Sequence, residues 1–170
     1  MDPLIFDTSG LLNFGQRGQL QSLLIRFKRV NRLLSTPAVV GELTDPTHKK
    51  FNDSFVATHF TIQTAKIVPF DLDTLARLSV VLHPGEVSVI ILAKELKGTA
   101  VLDEKAARRE SDALGVKFTG TLGLLYDALQ RGWLTDGECL IIVARLIAGR
   151  FRIPKPGANQ SFAEYVSGMQ

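Results

Sequence analysis

One cysteine, Cys139, stands alone in 170 residues, so no disulfide can form within the chain. A lone thiol of this kind reads as a small buried hydrophobe, and it suits a reducing, cytoplasmic compartment. Histidine is scarce as well. His48, His59 and His83 form no spaced pair on one helix face, which argues against a zinc site. No apolar run approaches the roughly 20 residues that a membrane-spanning helix needs. The longest patches, around Val87 to Ala93 and Leu140 to Val143, end too soon. The segment Met1 to Asp7 has neither the basic opening nor the apolar stretch of a signal peptide. Internal repeats, low-complexity tracts and linkers are absent, and nothing like Gly-x-Ser-x-Gly surrounds Ser9, which removes a serine-hydrolase elbow.

What remains is an ordinary globular composition, 45% hydrophobic and 22% charged, long enough for one domain with a real core. The net charge of +3 permits a nucleic-acid partner without requiring one.

Apolar runs alternate with amphipathic ones. Leu4-Ile5-Phe6 reads as a buried strand that stops at Asp7-Thr8-Ser9-Gly10. Gln19 to Lys28 has helical spacing. Leu33-Leu34-Ser35 is a second strand, and Thr36-Pro37 opens a helix carrying Val39, Val40 and Glu42. Residues 47–59 read as a loop and a helix. Ile67-Val68-Pro69-Phe70 reads as the third strand, followed by a helix from Asp71 to Leu82. Pro84-Gly85-Glu86 starts a helix that is apolar on most faces, hence buried, and that Gly98 ends. Ala100-Val101-Leu102 is a fourth strand, Glu104 to Leu114 a helix, and Val116-Lys117-Phe118 a fifth strand. A helix to Arg131 and a last one capped by Asp136 follow. The spacing predicts a domain over 1–150 and an irregular tail over 151–170, packed on the domain or extending from it. Alternating strands and helices imply an α/β sandwich with a mostly parallel sheet covered on both faces.

Four acids punctuate this pattern. Asp7 and Asp103 end apolar strands, at the carboxyl edge where open α/β sheets bind ligands. Glu42 and Glu86 lie in helices beside those strands. Each alone has a plain explanation: a cap at Asp7 or Asp103, a solvated helix residue at Glu42, a favourable helix dipole at Glu86. Together they would repel one another unless a divalent cation sat among them. A hard, oxygen-ligated ion such as Mg²⁺ or Mn²⁺ suits that arrangement and serves phosphodiester chemistry. An aspartate-nucleophile phosphohydrolase needs a second acid two residues after Asp7, and that position is Ser9.

The ordered set resembles the PIN-domain nucleases over most of the chain. Leu4 to Ser9 is similar to the family's opening strand with its first acid, and Thr36 to Leu43 to the segment with the second. Gly85-Glu86, followed by Ile90 to Ala93, looks like the third, and Leu102 to Arg108 like the fourth. Thr119-Gly120-Thr121-Leu122-Gly123 is similar to a closing Gly-Thr-Leu-Gly segment of a bacterial and archaeal branch that includes VapC-like toxins. The third acid is Glu86 where many members carry Asp, and Glu104 stands where the close branch often has a second Asp.

The resemblance implies a three-layer fold with a five-stranded sheet in the order 3-2-1-4-5. It implies a Mg²⁺- or Mn²⁺-dependent endoribonuclease, the toxin of a type II toxin–antitoxin pair, with Asp7, Glu42, Glu86 and Asp103 as metal ligands. Thr8, Ser9 and Thr119 are candidates to hydrogen-bond a ligand carboxylate or a phosphate oxygen. Arg108 is a candidate for a phosphate, or for a salt bridge to an acid. The expected partners are RNA, an antitoxin protein and a second copy of the chain, with no membrane. The helices before and after Asp45 could serve the dimer, and residues 47–59 and the tail are candidate docking surfaces. The alternative is a non-catalytic nucleic-acid-binding or scaffolding protein of the same fold. Of the aromatics, Phe51, Phe55 and Phe60 read as packing residues before they read as base-stacking ones, and Trp133 reads as core.

Overall fold

The computed structural model describes residues 1–66 and 69–169. Strand β1 (Asp2–Phe6) is central, because its apolar side chains can be covered on both faces: Ile5 and Phe6 are wholly buried. It pairs with β2 (Asn31–Ser35) on one side and β4 (Thr99–Val101) on the other, with Ile5 opposite both Leu34 and Ala100. Strands β3 (Thr61–Ile62) and β5 (Lys117–Thr119) form the edges. All pairings are parallel and the order is 3-2-1-4-5.

The helices form two packed sets. The first is α3 (Pro37–Glu42), α5 (Leu72–Val81), α6 (Pro84–Leu96) and α7 (Lys105–Ala113), with α6 lying on β1 and β4 and α7 on β5. The second contains α2 (Gln21–Lys28), α4 (Lys49–His59), α8 (Thr121–Gln130), α9 (Asp136–Ala148) and α10 (Phe162–Ser167), with α2 on β2. Between β1 and α2 run the short helix α1 (Thr8–Leu12) and a π-helical turn, Asn13–Arg17, which packs on α2 and α9. The Phe6 ring meets Phe14 and Phe60 edge-on at centroid distances of 5.6 and 5.0 Å, tying the strand to this second layer. Helix α6 has no exposed residue between Gly85 and Leu96, as its all-round apolarity requires.

Three expectations change. The third strand is not at Ile67-Val68-Pro69-Phe70. Ile67 and Val68 lie outside the described residues, and Pro69 and Phe70 are in no strand. The strand is Thr61–Ile62, directly after α4, paired with Leu34 and Ser35. Both its residues are exposed, so no apolar pattern marks it, and its shortness suits an unprotected edge. Helix α6 ends not on Gly98 but on Lys97, which takes the left-handed conformation at φ 52°. Gly98 matters for clearance instead. A Cβ there would lie 2.7 Å from the Pro3 carbonyl oxygen and 2.8 Å from Ile5 Cδ1, so its bareness lets this turn close onto β1. The tail is irregular only in part. Helix α10 docks on α8 and α9 through buried Phe162, Tyr165 and Val166, with Ser161 and Glu164 forming its capping box. Cys139 is buried in α9, and Phe55 and Phe60 are buried while Phe51 is not.

Candidate metal centre at the carboxyl edge of the sheet

Asp7 follows β1 directly. Its backbone N–H donates to Val101 O (3.2 Å), and its Oδ1 accepts from Gly10 N (2.6 Å) as the cap of α1. The capping explanation therefore holds for one oxygen only. Among the described residues Oδ2 has no hydrogen-bond partner, on a residue only 2% exposed.

Asp103 sits beyond β4, and it does not cap the next helix; Glu104 holds that position, with no side-chain cap bond. Instead Asp103 Oδ1 accepts from Thr121 N (2.8 Å). Its Oδ2 accepts from Thr121 Oγ1 (2.6 Å) and Asn13 Nδ2 (3.0 Å). Asn13 Nδ2 also donates to Thr121 Oγ1 (3.1 Å), and Asn13 Oδ1 accepts from Arg17 Nη1 (2.9 Å). Asn13 and Thr121 are wholly buried, so this network fixes the carboxylate plane.

Glu42, the last residue of α3, is half-buried rather than solvated. Its Oε1 accepts from Gly85 N (2.7 Å) and its Oε2 from Thr8 Oγ1. A Cβ on Gly85 would lie 2.6 Å from Glu42 Oε2, so glycine is what lets this acid reach the start of α6. Glu86, one residue later, is 8% exposed and closes a capping box by accepting from His83 N (3.0 Å).

Some of these groups are close enough for their charges to act on one another. Burial raises the Asp7 carboxyl well above the ordinary range. Asp103 raises it further, the Gly10 N–H opposes, and Glu86 and Glu104 add to the rise. Burial likewise raises Glu86, against the His83 N–H and the His83 charge, with Glu104 and Glu42 adding to it. Burial raises Asp103, opposed by the Thr121 and Asn13 hydrogen bonds and the Arg108 charge. Desolvation and like charge are the two causes that push an acid up.

The donor set is all oxygen, the chemistry of Mg²⁺ and Mn²⁺. Among the described residues, no three His, Cys, Asp or Glu side chains stand together as a ready-made cage. What such residues could offer an ion is one or two carboxylates, the remaining positions being water, as Mg²⁺ allows.

Of the supporting candidates, Thr8 holds Glu42. Arg108 Nη2 donates to the Asp103 backbone carbonyl (3.2 Å), so it bonds the main chain of the acid rather than its carboxylate. The Ser9 hydroxyl makes no hydrogen bond among the described residues, and neither does that of Thr119, whose carbonyl accepts from Leu102 N. The threonine that meets Asp103 is Thr121, two residues on. Asn13 was not anticipated either. An asparagine inside an apolar run at Leu11-Leu12-Asn13-Phe14 was the available signal, because a buried amide needs partners.

The PIN domain family matches residues 3–165, and the chain belongs to that family. Its members share a nuclease-type fold and typically use divalent metals. No curated protein matches the chain. No helix among the described residues is long and apolar enough to cross a membrane.

Proposed function

We propose that the protein is a Mg²⁺- or Mn²⁺-dependent endoribonuclease, acting in the cytoplasm as the toxin of a type II toxin–antitoxin pair. The observation that carries the catalytic part is Asp7. Asp7 is 2% exposed, its Oδ2 has no hydrogen-bond partner among the described residues yet is not sealed from solvent, and the carboxylate feels three further acids, so a cation reaching that oxygen would offset their repulsion. Asp7, Glu42, Glu86 and Asp103 would hold the ion, in part through its waters. When bound, such an ion supplies a more acidic water and offsets charge on a phosphodiester undergoing cleavage. The chain's own residues do the positioning. Thr121 and Asn13 orient Asp103, Thr8 and Gly85 N orient Glu42, and His83 N orients Glu86. The toxin role, an antitoxin partner and a homodimer follow from the resemblance to small single-domain members of the family.

The test is cleavage of mixed RNA by wild type and Asp7→Asn, with Mg²⁺, with Mn²⁺ and with chelator. Cleavage that vanishes in the variant and on chelation supports the reading. RNA binding without cleavage under all conditions replaces it with the non-catalytic alternative. Growth arrest on expression, relieved by a small protein encoded next to this one, tests the toxin role; size-exclusion chromatography tests the dimer.

A further inference from the structure

A second polar feature lies beside the acids. A concave groove of about 630 Å³ is lined by Gln16, Arg17, Gln19, His48, Arg145, Ala148 and Gly149. No Asp or Glu lines it; Asp45, which accepts from Thr47 N at 2.9 Å, meets the lining residue His48 at 3.0 Å. Neither Arg17 nor Arg145 forms an ion pair among the described residues. From these features we infer that the groove binds a phosphate of the nucleic-acid strand, next to the phosphate held at the acids.

Several independent observations say the groove is built rather than incidental. Arg17 ends a π-helical turn, a rare element frequent at functional sites. Its stem lies against Gly149 so closely that a Cβ there would be 2.8 Å from Arg17 Cβ and 2.9 Å from Cγ. Its guanidinium is tied to Asn13, which also holds Asp103, so a single side chain separates the groove from the acidic centre. Gln19 has φ 53°, a left-handed backbone that a glutamine adopts only when its surroundings impose it. Gln16 is fixed by buried Asn52 (2.6 Å). Arg145, in the last turn of α9, has a favourable helix-dipole position whatever it binds, and Arg17, which feels the charge of Asp103, brings a second guanidinium to the same groove. A phosphate oxyanion suits two such guanidinium donors lining one groove.

The ligand follows from the nuclease reading, so the test separates the two. The probe is a fluorescent single-stranded RNA 12-mer. Its binding is measured with chelator present across a salt series, for wild type, Arg145→Gln and Ala148→Glu. Arg17 is left intact because it touches Asn13. Arg145→Gln should weaken binding roughly three- to tenfold at low salt and reduce the slope of log affinity against log salt by about 0.7, the value for one lost phosphate contact on a single strand. Ala148→Glu, at an exposed helix position, should weaken binding at least as much; it provides the same information if Arg145→Gln unfolds. Unchanged affinity and slope in both variants overturn the inference, even if wild type cleaves RNA in Mg²⁺. Absence of RNA binding by wild type also overturns it. Binding that depends on Arg145 without any cleavage keeps the groove and removes the nuclease reading.

Discussion

Replacing Thr121 by valine removes one hydroxyl and almost no volume. The lost contacts are its 2.6 Å bond to Asp103 Oδ2 and the 3.1 Å bond it accepts from Asn13. A hydrogen bond to a charged group contributes about 1.5–3 kcal/mol and a neutral one about 0.5–1.5. Valine's methyl recovers some packing, and the Thr121 N–H still holds Asp103 Oδ1. A net loss of about 2–3 kcal/mol is expected. For a chain of this size that lowers Tm by about 4–12 °C. The same substitution leaves Asp103 Oδ2 held by Asn13 Nδ2 alone, and losing an outer partner of a metal ligand typically costs 10–100-fold in metal affinity or activity. Thermal denaturation, together with cleavage titrated against Mg²⁺, reads both effects; Thr121→Ser should stay near wild type in each. If Thr121→Val matches Thr121→Ser in Tm and in half-saturating Mg²⁺, then Asp103 is not positioned by this hydroxyl and the account of the site is wrong.

Further outcomes follow from the same structure. Because the folded state raises the Asp7 carboxyl, the protonated form is favoured in the fold. The resulting stability is fully present below the ordinary carboxylate range and is lost as pH rises through the raised value. In chelator, Asp7→Asn should therefore gain stability over wild type as pH climbs to neutrality; a pH-independent difference in calorimetric Tm would contradict the burial argument. Gly149→Ala forces a Cβ to within 2.8 Å of Arg17, so urea denaturation should show a loss of about 1–3 kcal/mol, and no loss would mean that Arg17 moves aside freely. Phe162→Ala empties a wholly buried ring site and should cost about 3–5 kcal/mol; a value near zero would show that α10 is not part of the cooperative core.

Chain pattern alone carried the alternation of strands and helices, the central strand Leu4-Ile5-Phe6 and the buried helix after Pro84. Each is a run of apolar side chains whose period reflects its own burial, so local order suffices to read it. The PIN resemblance supplied the sheet order. The four acids stood out because charge at the end of an apolar run is conspicuous in one dimension. Contacts made across distant segments had no such mark. The exposed edge strand Thr61–Ile62 exists only because β2 offers it hydrogen bonds. Glu42 reaches Gly85 because glycine leaves room there, and Thr121 rather than Thr119 meets Asp103 because the first turn of α8 aims its N–H and hydroxyl together at that carboxylate. Arg17 meets Gly149 across more than a hundred residues of chain, and the groove they share appears only when the π-helical turn and α9 pack. Hydrogen-bond geometry and steric clearance act through space, so they emerge only once packing brings separate segments together.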